Sequence, residues 1–207
     1  MGIIAREPLR GGSFVGKIPH EVQKVYDESL IKRSPAEWAL RWVWNHPAVT
    51  VVLSGMNVDE HIDENIKIAS DALSDGLSDE DQTVIGKVRD AYNKLLQVGC
   101  TGCAYCMPCP AGIDIPAAFK NLNNYYMFSK TRAKIFHVAY LGVQTEDGKA
   151  HFTDVCIDCG QCEEKCPQHI EVRQVFKQVQ KDLEGPLVKG IATLGRAVLN
   201  RNQTIRK

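Results

Sequence analysis

No cysteine lies outside two short runs of this chain, at residues 100–109 and 156–166, and neither charge sign dominates it. Its 207 residues balance 25 lysines and arginines against 25 aspartates and glutamates. No broad basic field argues for nucleic acid, and no acidic block argues for a solvating tail. The longest apolar runs fall well short of the roughly 20 residues that span a bilayer. The opening MGIIAREPLRGG lacks a basic leader followed by a long apolar region. These absences lead us to expect a soluble, cytoplasmic protein with no nucleic-acid and no membrane partner. In that reducing compartment, clustered cysteines are metal ligands rather than disulfides. The basic end RNQTIRK is read as a solvated tail.

What is present divides into two parts. MGIIA (1–5) is a short β-branched run, and HEVQKVYDESL (20–30) a polar helical stretch. SPAEWALRWVWNHP starts a helix with Ser34 as N-cap, Pro35 at the first position and Glu37 closing a capping box. Ala36, Leu40 and Val43, with Ala39 and Trp44 adjoining, form its apolar stripe. Three tryptophans in seven positions (38, 42 and 44) cannot share one face and are read as packing residues. VTVVLSG (49–55) is continuous rather than alternating, as a buried parallel strand is. Asn57 and Glu60 are expected to cap a helix running to about Leu73. Strand and helix in alternation indicate βα units of a parallel sheet.

Beyond a boundary placed near residue 76, every candidate is helical. Ser78 caps a helix carrying Val84, Ile85, Val88, Tyr92, Leu95 and Leu96 on one face. Further helices are expected at about 116–128, 130–142, 171–184 and 186–200. The expected domains are thus α/β at 1–76 and all-α, cysteine-bearing, at 77–207.

The second cysteine run is Cys156-x2-Cys159-x2-Cys162-x3-Cys166-Pro167. It matches the bacterial ferredoxin ligand pattern, in which three close thiolates hold one cubane and the fourth serves the other cluster. Cysteines at every third residue let a loop wrap three corners, and Gly160 lets backbone approach inorganic sulfur. The first run, Cys100-x2-Cys103-x2-Cys106-x2-Cys109-Pro110, is one residue shorter at its last spacing, which leaves the role of Cys109 open. Crossed ligation gives one [4Fe–4S] cluster Cys100, Cys103, Cys106 and Cys166, and the other Cys156, Cys159, Cys162 and Cys109. Zinc is the competing ligand chemistry, but it favours two separated CxxC pairs over triple spacing followed by Cys-Pro.

The two runs, with helical character between them, resemble the α-helical ferredoxin domains of respiratory-type iron–sulfur subunits over about 79–184. EPLRGG after a strand, followed by SPAEWALRWVWNHPAVTVVLSGMNVDEHIDEN, resembles the C-terminal end of an aldo/keto reductase. It is most similar to the branch whose barrel is followed by an iron–sulfur domain. The resemblance implies the last two βα units of a TIM (β/α)8 barrel followed by a helical two-cluster ferredoxin-like domain. It implies that Pro8, Leu9, Gly11 and Gly12 lie along the pyrophosphate of NAD(P), and that Ser54, Gly55, Met56 and Asn57 lead into a phosphate-facing helix N-terminus. Glu64 and Asn65 match the adenine-contacting pair. His61 stands where many members have an arginine for the 2′-phosphate, and Gly55 where a lysine is expected, so NAD and NADP are not separated.

The family's catalytic tyrosine, lysine, aspartate and histidine come from earlier strands. Tyr26, Lys24 and His20, on an expected surface helix, do not replace them, so this chain carries no catalytic residue and the activity is that of an intact parent. The expected function is electron transfer through two clusters, coupled in that parent to a nucleotide-binding barrel. Nicotinamide yields two electrons at once and a cluster takes one, and no flavin motif is present to bridge them. The alternatives are a non-enzymatic ferredoxin-like carrier or subunit and a zinc-stabilised interaction module. The expected partner is a redox protein or the remainder of the barrel.

Overall fold

The computed structural model describes residues 2–143, 145 and 147–205, with side chains as far as residue 198. The tail read as solvated lies outside the described side chains. The chain forms two compact units, Met1–Lys94 and Leu95–Lys207.

In the first unit, strand β1 (Ile3–Arg6) is followed by helices α1 (His20–Glu28) and α2 (Pro35–Trp44), strand β2 (Val49–Leu53), and helices α3 (Asp59–Asp71) and α4 (Asp79–Leu95). β1 and β2 pair in parallel, with Ile4 opposite Val51 and Arg6 opposite Leu53. The buried strand expected at 49–55 is instead largely open: Val51 and Leu53 are exposed, as are Ile3 and Ile4 of β1 beside it. A parallel strand is buried when neighbours flank it and helices cover both faces, and the described sheet ends at two strands. The unit's core is built by Val22 of α1, Trp38, Leu40 and Val43 of α2, Ile68 of α3, and Ala91 and Tyr92 of α4.

The helix starts follow the sequence unevenly. Ser34 Oγ accepts the Glu37 N–H at 3.0 Å, as a cap should. Glu37 does not close the box, because its carboxylate turns along the helix to Arg41 Nε at 2.7 Å. Asn57 and Glu60 do not cap α3; Val58 takes the N-cap position with no side-chain bond. Asn57 stands one residue too early, and Glu60 is already inside the helix.

At α4 the reciprocal box does form, with the Asp81 N–H on Ser78 Oγ and the Ser78 N–H on Asp81 Oδ2, each at 3.1 Å. The expected α4 face is only partly buried at Val84, Ile85 and Val88, and Leu96 is exposed beyond the helix end.

Asp81 is buried and also takes a short ion pair from Arg33. Burial pushes its carboxyl upward, but the Arg33 and Ser78 bonds prevail and hold it below the usual carboxylate range. A depressed carboxylate stabilises the fold above its unfolded value of about 3.9 and loses that contribution as pH falls through the folded value. Asp81→Asn is therefore expected to cost about 2 kcal/mol at neutral pH. Urea unfolding should show the difference shrinking as wild type is acidified below about pH 4. A pH-independent difference would contradict the assignment.

The second unit is helical. It comprises α5 (Ile115–Met127), α6 (Lys130–His137) running into a π-helical segment (Val138–Val143), a 3-10 turn (Thr153–Val155), and helices α7 (Gln161–Glu164), α8 (Val172–Leu183) and α9 (Pro186–Ile205). The stripe expected on α8 is its buried face: Val172, Phe176, Val179 and Leu183. It packs with Ile115, Phe119 and Leu122 of α5 into one core, against which Cys100, Cys106, Cys109, Cys156 and Cys162 are partly buried. The helix α4 belongs mainly with the first unit, so this division falls one helix later than the boundary expected near residue 76.

Candidate metal centre

The two cysteine runs fold alike. In the first, the Gly102 N–H points at Cys100 Sγ at 3.4 Å; in the second, the Asp158 N–H points at Cys156 Sγ at the same distance. Gly102 and Asp158 have positive φ (73° and 54°), as do Ala104 and Gly160 two residues later (62° and 75°). This left-handed backbone curls each loop back towards its first sulfur; glycine, which adopts it freely, fills one site of each pair, and Ala104 and Asp158 hold it at the other.

The Met107 N–H then bonds the Ala104 carbonyl at 2.9 Å, and the Glu163 N–H bonds the Gly160 carbonyl at 3.0 Å. Past the last cysteine the copies continue in step. Gly112 N–H bonds the Cys109 carbonyl and His169 N–H the Cys166 carbonyl, at 2.9 and 3.0 Å. The N-caps Asp114 and Glu171 follow five residues after Cys109 and Cys166, opening α5 and α8. The missing residue of the first run is thus absorbed before Cys109, where the Met107–Pro108 peptide is cis.

Two apolar depressions lie against these loops. One is lined by Cys100, Cys103, Cys106 and Cys166, together with Ile115 and Phe119. The other is lined by Cys106, Cys109, Cys156, Cys159 and Cys162, with Phe176. They are similar in size, about 360 and 370 Å³ including their open mouths. Cys106 borders both; burial raises its thiol most, and the neighbouring Cys100, Cys103 and Cys166 add to that rise.

All eight cysteines are free thiols. Among the described residues no three His, Cys, Asp or Glu side chains converge tightly enough for a single metal ion. A lone zinc draws four sulfurs to about 2.3 Å from one centre, whereas the atoms of a cluster hold its ligands further apart. All-thiol donors around apolar hollows therefore fit a cluster better than an ion.

The residues proposed for nucleotide lie in the first unit, in the loops at the C-terminal ends of the paired strands and on α3. Pro8, Leu9 and Gly12 are half-buried and Gly11 exposed in the loop after β1, where Glu7, Arg10, Gly11 and Gly12 all have positive φ. After β2, Ser54 and Met56 are half-buried, Gly55 and Asn57 exposed. His61 is exposed on α3. Glu64 accepts from Ser34 Oγ at 2.5 Å and borders an open cleft of about 900 Å³, including its open mouth, shared with Tyr26 and Arg33. Asn65 is buried, its Nδ2 donating to Met56 Sδ at 3.0 Å. The structure thus brings the two loops to one end of the sheet and turns the Asn65 amide inward.

Residues 1–80 match the model of the Aldo/keto reductase family, and residues 99–171 match the model of a 4Fe-4S dicluster domain. The chain joins an aldo/keto reductase segment to an iron–sulfur domain. Together they mark an iron–sulfur oxidoreductase. No curated protein and no solved structure matches the chain. No described helix of this oxidoreductase is long and apolar enough to cross a membrane.

Within the iron–sulfur domain, residues beyond the cysteines shape the loops. Arg173 at the start of α8 gives Glu163 its N–H at 2.9 Å and its Nη2 at 2.6 Å, closing the second loop from outside. Further polar groups are buried, among them Asn123, His137 and Glu184. Sequence reasoning missed all three, because a polar residue inside a helical pattern looks like surface until its partners are known.

Burial pushes the Cys106 thiol up and carries Cys162 to about 11. At about 11, the Cys162 thiol is protonated at neutral pH in the cluster-free chain, and loading must release that proton. Reconstitution with iron and sulfide is expected to run faster at pH 8.5 than at pH 6.5, followed by visible absorbance. Equal rates at the two pH values would contradict this.

Proposed function

We propose that the domain holds two [4Fe–4S] clusters by crossed ligation. One set is Cys100, Cys103, Cys106 and Cys166; the other is Cys109, Cys156, Cys159 and Cys162. The observation that carries this reading is the exchange of last cysteines: Cys166 borders the depression of the first run, and Cys109 that of the second. Bound there, such clusters supply one-electron chemistry. The loop N–H groups aimed at Cys100 and Cys156 stabilise thiolate charge, and the apolar walls exclude water, both of which tune a potential.

The aldo/keto reductase segment contributes the end of an NAD(P)-binding barrel, with its loops at 8–12 and 54–57 facing the nucleotide phosphates. Its partner is the remainder of that barrel or a separate redox protein, and the exposed Ile3, Ile4, Val51 and Leu53 are the surface such a partner covers. The coupling is tested anaerobically by adding NADH or NADPH to the loaded protein with and without the rest of the barrel. Bleaching that requires the barrel supports coupling. Clusters that dithionite reduces but neither nucleotide touches would contradict it and favour the carrier reading.

A further inference from the structure

Just ahead of each cysteine run, one buried polar side chain grips the backbone. Ahead of the first, Asn123 of α5 accepts the N–H groups of Gln97 and Val98 on Oδ1 at 3.0 and 3.1 Å. Its Nδ2 donates to the Val98 carbonyl at 2.8 Å, two residues before Cys100. Ahead of the second, Glu184, the residue after α8, accepts the Thr153 N–H on Oε1 at 2.8 Å and the Thr153 hydroxyl on Oε2 at 2.9 Å. Thr153 opens the 3-10 turn that delivers Cys156.

The same Oε1 meets His137 Nε2 at 2.9 Å. His137 is fully buried at the end of α6 and stacked on Phe152, with centroids 5.8 Å apart. No bond satisfies its Nδ1 among the described residues.

A buried carboxylate with a buried imidazole costs more than apolar residues of the same size, so stability alone does not account for it. What the set supplies is a fixed position for one short turn, since two bonds from Thr153 to a carboxylate that His137 holds in place fix the start of that turn. Asn123 does the same for the first turn with a neutral amide. We propose that the two are separate positioning residues: Asn123 sets the loop of the Cys100 cluster, and Glu184, oriented by His137, sets that of the Cys156 cluster. The proposal rests on the two-cluster reading.

The test uses the full chain, purified anaerobically, as Asn123→Ala, Glu184→Ala and Glu184→Gln, with Cys100→Ser and Cys156→Ser as references. Iron and sulfide per chain and the electron paramagnetic resonance of the dithionite-reduced protein are measured. Asn123→Ala should lose or alter the signal that Cys100→Ser removes, and leave the other. Glu184→Ala should do so for the signal that Cys156→Ser removes. Glu184→Gln keeps an oxygen for the Thr153 N–H, so both clusters should load and only the second signal should change.

Parallel loss of both signals in either alanine variant would overturn the proposal, as would two unaltered signals. If Glu184→Ala does not fold, unaltered signals in Glu184→Gln suffice to overturn it. Wild type without iron and sulfide would instead sink the two-cluster reading, so the two failures are distinguishable.

Discussion

Cys166→Ser is expected to remove the same cluster as Cys100→Ser, although 66 residues separate the two cysteines. Iron should fall from about eight to about four per chain, with sulfide in parallel. Cys109→Ser should give the same count but the complementary spectrum, matching Cys159→Ser. The reason is the exchange seen in the depressions: each last cysteine leaves its own run and borders the hollow of the other. Serine retains the shape but is a poor ligand for iron next to thiolate. If Cys109→Ser instead reproduced the Cys100→Ser spectrum, each run would hold its own cluster and the crossed assignment would be wrong.

Phe176→Ala should bring the largest loss of stability, about 3–5 kcal/mol. Phe119 and Phe176 occupy equivalent positions, the fifth residue of α5 and of α8, and are 1% and 2% exposed. Their rings meet edge to face at 5.9 Å, a geometry that adds to the area each buries. Phe119 borders the first depression and Phe176 the second. Truncating Phe176 therefore opens a cavity in the core and admits water beside one set of cysteines. Thermal unfolding should shift down, and in air the Cys156 cluster should bleach before the other. Phe119→Ala should reverse that order. Equal lability of both clusters in both variants would contradict the placement.

The sequence disclosed what is local. Ser34 and Ser78 announce their helices because a cap needs only its own first turn, and the α8 stripe appears because one face meets one core. The cysteine spacing revealed the chemistry, but not how Cys109 is accommodated, since a one-residue difference is absorbed by backbone turns that leave no mark on the cysteine pattern. The repeat itself is hard to see: Gly112 and His169 share a left-handed conformation, Ile115 and Val172 a buried position, yet the letters differ.

The misreadings have the same origin. Asn57 looked like a cap because spacing alone cannot say where a helix starts, and Val51 looked buried because apolar continuity does not count neighbouring strands. His137 and Glu184 stand 47 residues apart, and only folding makes them partners.

The central claim is that these eight cysteines hold two iron–sulfur clusters. It is tested most directly by counting iron and acid-labile sulfide per chain in anaerobically purified protein. About eight of each, in a brown protein bleached by dithionite, is predicted. One or two zinc ions per chain without sulfide would contradict it.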